Sequence, residues 1–400
     1  MQIPEYEFFS RSKIISGTCA LESIPSELKN NGAVRPLIVS GKSSTQRSMK
    51  KNLIKAFYDS DLSIGAFYDE IGIGEDFQRV QDAVYLFKDR KCDSIVVAGG
   101  GRVVNAARAV NCIVSEKRGA LFYEGMTIVN RLNPFIVVPT CCTNGTEGGN
   151  VLSIDGCRIE SDFLIPDVIV LDKRMTDMCS LLCAARSSAV ALDNALNAFM
   201  DEKANSLRDA FVHAALSSIS HHMTGLLKDP GSTSHGFWTA NAGVIATTAA
   251  LNAKLGLTAA LSEELETHTS IDRGIFVCLL AQAALDLRCS KYGFPRDELL
   301  LYLSGMEDYV TTPEEKRAQK GINLAMDLFS AAAAAITRSL SSLSNPFHAI
   351  PPGVAEQACK KGGASGGKYF NENDCLTVLD KARQKHFFPE HRAKTLNKGE

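Results

Sequence analysis

Four short runs of consecutive apolar, largely β-branched residues mark the first part of the chain: RPLIVSG (35–41), SIVVAGG (94–100), FIVVPT (135–140) and VIVLDK (168–173). Such runs lack the in–out alternation of a half-exposed strand, so they predict parallel strands covered on both faces. Between them, residues 43–58 and 75–90 show helical spacing with charged outer faces. Gly72, Gly74 and the acids Glu75 and Asp76 suit the start of the second helix. From about residue 175 the strand-like runs stop. Long Ala-, Leu- and Ser-rich stretches at 179–200, 205–226, 237–264 and 274–290 predict helices, and the alanine run at 331–335 lies in another. The pattern therefore predicts a doubly wound, Rossmann-like α/β domain over residues 1–174, followed by an all-helical domain over 175–400.

Composition narrows the function class. Hydrophobic residues make up 45% of the chain and charged residues 22%, as in ordinary globular proteins, and the net charge of −2 offers no field for nucleic acid or an anionic membrane. No apolar run reaches the roughly 18 residues of a spanning helix, and the opening MQIPEYEFFSRSKIISG does not have the form of a signal peptide. The 12 cysteines form no CxxC pair; scattered in this way they are expected to be reduced thiols of a cytoplasmic protein. KKGGASGGK (360–368) follows no strand, so it is expected to be a flexible connector rather than a phosphate loop, and the basic tail from Lys381 is expected to be a solvated end.

The strongest chemical signal is VAGGGRVVNAAR (97–108). After the strand, Gly99, Gly100 and Gly101 permit a sharp turn and a close approach of backbone to ligand. The helix that follows aims its N–H groups and positive dipole end at the loop, which suits a pyrophosphate. Arg102 at the lip is expected to contact that phosphate; alternatively it folds across the loop and blocks it. A second signal is the end of the first core strand, where Ser40, Gly41 and Lys42 stand in place of the acid that grips the ribose hydroxyls of NAD. Without that acid, NADPH is favoured, with NADH possible.

Several segments in order resemble the iron-containing (group III) alcohol dehydrogenases, which share a fold with dehydroquinate synthase. SKIISGTCALESIPSEL resembles that family's opening strand and helix, and VVAGGGRVVNAARAV its glycine motif. VVPTCCTNGTEGGNVLSI resembles the loop that closes over the nicotinamide, which implies cofactor contacts for Thr140, Cys141 and Asn144. IPDVIVLDKRMT and ALDNALNAFMDEKANSLRDA resemble the domain junction and first metal helix, and NENDCLTVLDKA the closing helix. The resemblance implies an NAD(P)-dependent oxidoreductase acting on a small molecule, in a homodimer, with no nucleic-acid or membrane partner.

The departures fall on functional positions. The family's serine, aspartate and lysine after the glycines are Arg102, Asn105 and Arg108 here. Of the four metal ligands the resemblance implies, only Asp193 survives; Asn197, Ala259 and Arg273 occupy the other places, and Glu263 replaces a further histidine. Alanine has no donor atom, neutral asparagine is a poor ligand and arginine does not ligate, so no metal is expected. His268, five residues past Glu263, falls on another helix face.

Three readings follow. In a metal-independent reductase of a carbonyl or imine, Arg273 beside Asp193 acts as electrophile or anion clamp, Asn197 orients the substrate, and Glu263 or His268 supplies a proton. In a non-catalytic relative, Arg273, Asp193 and Glu263 merely fill the hole left by the metal. A non-redox enzyme on the same scaffold is the third.

Overall fold

The computed structural model describes residues 5–42, 46–72, 76–116, 127–140, 145, 147–154, 157–176, 179–203, 205–269, 271–340, 346–347, 350–364 and 370–385. Six parallel strands form one sheet in the order β1-β8-β5-β4-β2-β3: β1 (Lys13–Gly17), β2 (Pro36–Gly41), β3 (Ala66–Ile71), β4 (Ser94–Ala98), β5 (Phe135–Val138) and β8 (Val168–Asp172). β6 (Val151–Ile154) and β7 (Cys157–Glu160) form a separate antiparallel hairpin. The four apolar runs become β2, β4, β5 and β8, each buried at every position. Their side chains alternate between two cores. Ile95, Val97 and Val137 pack on one face with α3 (Asp76–Asp89) and α4 (Arg102–Glu116). Val96, Ile136 and Val138 pack on the other with α1 (Ile24–Asn30) and α2 (Gln46–Lys55).

The expected strands omitted β3 and the β6–β7 hairpin. β3 reads AFYDEI and lies at the sheet edge, half-buried; Asp69 and Glu70 are poor strand formers that an edge tolerates because their side chains reach water.

After β8 and a short 3-10 turn at Lys173–Met175, every described element is a helix: α5 (Leu181–Phe199), α6 (Ser206–Lys228), α7 (Thr233–Ala250), α8 (Leu257–Thr269), α9 (Arg273–Tyr292), α10 (Glu298–Ser304), α11 (Met306–Thr311), α12 (Glu314–Ser339), α13 (Val354–Ala364) and α14 (Glu372–Lys385). Side-chain caps start four of them. Ser180, Asn205, Ser232 and Asp272 each accept a hydrogen bond from a backbone N–H in the first turn. Alanine at 332, 333 and 335 is buried, so α12 packs closely on its neighbours.

Three expectations need correction. The helical stretch 237–264 is two helices, broken between Leu251 and Gly256, because Asn197 from α5 donates to the Lys254 carbonyl at 2.6 Å and holds the chain in a turn. Residues 360–364 are not a connector but the end of α13, where Gly362 packs so closely on Phe370 that an added methyl would lie 2.3 Å from its ring. Residues 381–385 complete α14, with Lys381 paired to Asp286 at 2.6 Å, so that part of the tail is ordered by a helix and an ion pair. Residues 365–369 and 386–400 lie outside the described residues. None of the ten described cysteines is in a disulfide. Among the described residues, no helix is long and apolar enough to cross a membrane.

Candidate active site

The strand order reverses direction between β2 and β4: the connection from β2 runs outward to β3, while that from β4 runs the other way to β5. Ligands of doubly wound sheets bind outside the C-terminal ends of the strands at such a switch point. Ser40 and Gly41 end β2 there, and Gly99–Gly101 follow β4. A small pocket at this place is lined by Ser40, Lys50, Phe67, Ala98 and Thr140, among others. Cys141 and Asn144 lie outside the described residues.

The glycine loop is tightly built. Gly101 has a φ of +48°, a backbone that disfavours a side chain. A methyl group at Gly99 would lie 2.8 Å from Cβ of Val103, and one at Gly100 would lie 2.8 Å from Oε1 of buried Glu147. α4 begins at Arg102 and supplies a full helix N-terminus at the loop. The residues present therefore fit a nucleotide pyrophosphate. Arg102 also makes itself felt across the cleft: its charge acts on Glu266 of α8, whose carboxyl is pushed up chiefly by burial and by Asp272.

Arg108 does not reach the phosphate site. Fully buried, it donates to four backbone carbonyls: Leu164 (3.1 Å), Val151 (3.1 Å), Glu147 (3.2 Å) and Gly149 (2.6 Å). Burial holds its pKa down to about 10, against the favourable charge of Glu147. It thus ties α4 to the segment that carries Glu147 and to β6. Sequence reasoning registered Arg108 only as a departure from a motif, because its four acceptors are main-chain groups 39 to 56 residues away.

At the ribose end, Lys42 is 2.8 Å from Glu70 and Lys50 is 2.9 Å from Asp69. Both acids belong to β3, the strand whose composition concealed it. All four side chains are well exposed, so these pairs are weak and open to exchange with a phosphate.

In the helical part, Arg273 donates from Nη1 to Oε1 of Glu263 at 3.0 Å, and its backbone N–H donates to Oε1 of Glu266 at 3.1 Å. Arg158, from β7, places Nε 3.7 Å from the other oxygen of Glu263. Asp193 stands beside this group. Burial pushes its carboxyl up to about 6, opposed by a hydrogen bond with Thr258 and by the Arg273 charge. Three of the expected residues, Arg273, Asp193 and Glu263, are thus brought together, and Arg158, Thr258 and Glu266 join them. The hairpin origin of Arg158 hid it from sequence reasoning.

His268 is placed elsewhere, and Asn197, one turn along α5 from Asp193, has its amide committed to the backbone. The Asn197 amide is committed to Lys254, and its Oδ1 would lie 2.4 Å from a methyl on Gly256, so the residue clamps the α7–α8 turn. His268 turns towards α13, with Nε2 2.9 Å from Glu264 and 3.3 Å from Gln357. Glu264 also pairs with Lys361 at 2.6 Å.

The donors at this place do not fit a divalent metal. Among the described residues no three His, Cys, Asp or Glu side chains converge as a ligand set. Asn197 faces a carbonyl, position 259 is a buried alanine, and Arg273 brings a positive charge.

Comparison with known proteins bears on the fold. Residues 11–173 match the family model for iron-containing alcohol dehydrogenase. The solved alcohol dehydrogenase from Oenococcus oeni superposes with a TM-score of 0.79 at 19% identity, covering 94% of this chain and 100% of that one. The α/β domain therefore resembles the iron-containing alcohol dehydrogenases, and the whole chain has the fold of that solved enzyme. Among curated relatives, the NAD-dependent methanol dehydrogenase of Bacillus methanolicus is 23% identical over 223 residues, 54% of this chain and 58% of that protein. The probable alcohol dehydrogenase EutG of Salmonella typhimurium is 31% identical over 145 residues, 34% of this chain and 36% of that protein. The chain thus spans just over half of one relative's length and about a third of the other's.

Proposed function

We propose that the protein is a metal-independent, nicotinamide-dependent oxidoreductase that reduces the carbonyl or imine group of a small molecule, with NADPH preferred over NADH. The observation that carries this reading is the Arg273 guanidinium, held by Glu263 beside Asp193 at the place the resemblance gives to the metal. When bound, the reduced nicotinamide supplies a hydride to the carbonyl carbon. As negative charge develops on the oxygen, Arg273 stabilises it through N–H donors that Glu263 keeps in position. Its Nε is buried and has no partner among the described residues, so a donor is available without breaking the Glu263 bond. The oxygen then takes a proton from the side of Asp193. With His268 turned towards α13 and Glu263 engaged by two arginines, Asp193 takes the proton-donating role in this reading. Asn197 positions the chain rather than the substrate.

NADPH preference rests on the missing acid at Ser40–Gly41 and on Lys42, whose exposed pair with Glu70 yields readily to a 2′-phosphate. The described cysteines, none in a disulfide, suit a reducing cytoplasm. The exposed edge of β1, with Ile14, offers a surface through which a homodimer would pair.

The second reading, a non-catalytic relative, is favoured by Arg102, whose charge reaches Glu266 across the cleft that a nucleotide would enter. One experiment separates the two: titrate chelator-treated protein with NADPH and NADH by cofactor fluorescence, then screen aldehydes, keto acids and imines without metal. Micromolar NADPH binding followed by turnover supports the reductase. Absence of binding to either nucleotide overturns it and leaves the non-catalytic relative.

A further inference from the structure

Away from the candidate active site, three histidines gather where α6 turns into α7. His221 and His222 lie on α6, and His235 lies in the first turn of α7, across the connection formed by residues 229–232. Neither helix gives a residue to the cluster around Arg273. Nδ1 of His222 stands 3.2 Å from Nδ1 of His235. The two rings are tilted by 55° with centroids 5.4 Å apart, so nitrogens rather than ring faces meet. A neutral imidazole carries one N–H and one bare nitrogen. One ring therefore donates from Nδ1 and the other accepts. When both rings carry their proton on Nε2 instead, two lone pairs face the same small space.

That spacing suits a metal ion. Two imidazoles that hold an ion of the zinc kind at about 2.0–2.1 Å and at the tetrahedral angle set their nitrogens about 3.3–3.4 Å apart. A small swing of either ring admits the ion. The surroundings aim both rings. Gly225 on α6 makes room for His235, since a methyl group there would lie 2.5 Å from its Nε2. With Nε2 against α6, Nδ1 is the nitrogen left to face His222. Trp238, one turn further along α7, stacks on the His222 ring at 12° and 5.8 Å between centroids. His221 stays apart, with Nδ1 2.6 Å from the Ser217 carbonyl and its ring 6.5 Å from that of His222. Both facing histidines are half-buried and Trp238 is exposed, so water reaches the edge of the pair.

We propose that His222 and His235 chelate one divalent ion of the zinc, nickel or copper kind, bridging α6 and α7, with water in the remaining positions. Imidazole nitrogen suits these ions, whereas magnesium and calcium prefer oxygen. Two protein ligands, against the four of a structural zinc centre, make the ion exchangeable. Arg273, Asp193 and Asn197 take no part, and the assignment does not rest on the oxidoreductase reading.

The chain carries its own reporter, because Trp238 is its one tryptophan. Ni²⁺ has an open d shell and quenches indole emission at short range. Titration of the untagged, chelator-treated full chain with NiCl₂ is expected to quench Trp238 along a saturable one-site curve. His222→Gln and His235→Gln each remove one ligand and are expected to weaken Ni²⁺ at least tenfold, about 1.4 kcal/mol or more. His221→Gln is expected to follow the wild-type curve. Melting curves check that the variants fold, and either ligand variant suffices, since loss of one ring removes the chelate. Absence of saturable quenching in the wild type, wild-type affinity in a folded ligand variant, or equal weakening by His221→Gln overturns the proposal.

Discussion

Nη1 of Arg273 lies 3.0 Å from Oε1 of Glu263; by resemblance to the iron-containing family, Arg273 takes the place of a metal ligand and Glu263 that of a further histidine. Both side chains are largely buried. A buried ion pair is weak evidence for stability, because desolvation offsets much of its attraction, but removing one partner strands the other charge. The pair therefore fixes where a guanidinium stands and in which direction its free edge points.

Replacing Arg273 with alanine is expected to lower kcat for the true substrate on the order of a hundredfold or more, the scale for loss of an oxyanion donor. NADPH affinity is expected to change little, since the glycine loop is built by other elements. Steady-state kinetics beside a fluorescence titration check this. Wild-type turnover in the variant would remove Arg273 from the mechanism.

Arg108→Met is expected to destabilise the fold by about 3 to 5 kcal/mol. It leaves four carbonyls, at Leu164, Val151, Glu147 and Gly149, without their donor. Since those carbonyls set the segment behind Gly100, NADPH affinity should fall with stability. Urea unfolding and nucleotide titration on the same preparation decide it; loss of neither would mean that the segment holds itself.

Asp193 makes stability depend on pH. Its carboxyl is raised in the folded state to about 6, so the folded state favours the protonated form. That contribution is full at acid pH and is lost as pH rises through about 6. Asp193→Asn cannot ionise, so its stability relative to wild type should grow between pH 4 and pH 7, by on the order of 2 to 3 kcal/mol. Parallel denaturation profiles for the two proteins would show that the carboxyl titrates normally.

Gly41→Asp is expected to reverse the nucleotide preference. A carboxylate at the end of β2 repels a 2′-phosphate and accepts from a ribose hydroxyl. The ratio of NADPH to NADH affinity should fall by about tenfold or more in the folded variant, read by fluorescence titration. An unaltered ratio would place the 2′ position away from β2.

The sequence alone was enough to determine the fold class. β2, β4, β5 and β8 are uninterrupted apolar runs because both faces of a central parallel strand are covered, and that demand is written residue by residue. The change from short apolar runs to long helical stretches past β8 was legible for the same reason. The glycine loop was also legible, since Gly101 adopts a backbone that few other residues accept. Tertiary structure decided everything that depends on partners distant in the chain. It placed Arg108 on main-chain carbonyls, which carry no sequence signature. It brought Arg158 from a hairpin to Glu263, 105 residues away by their numbers, and put the β3 acids beside Lys42 and Lys50. Asn197 and His268 share the helices of Asp193 and Glu263, yet a hydrogen bond to Lys254 commits one to a turn and Glu264 draws the other to α13. Spacing along a helix specifies a face; which neighbour that face meets, and hence whether a side chain is a tool or a clamp, is set only when the elements pack.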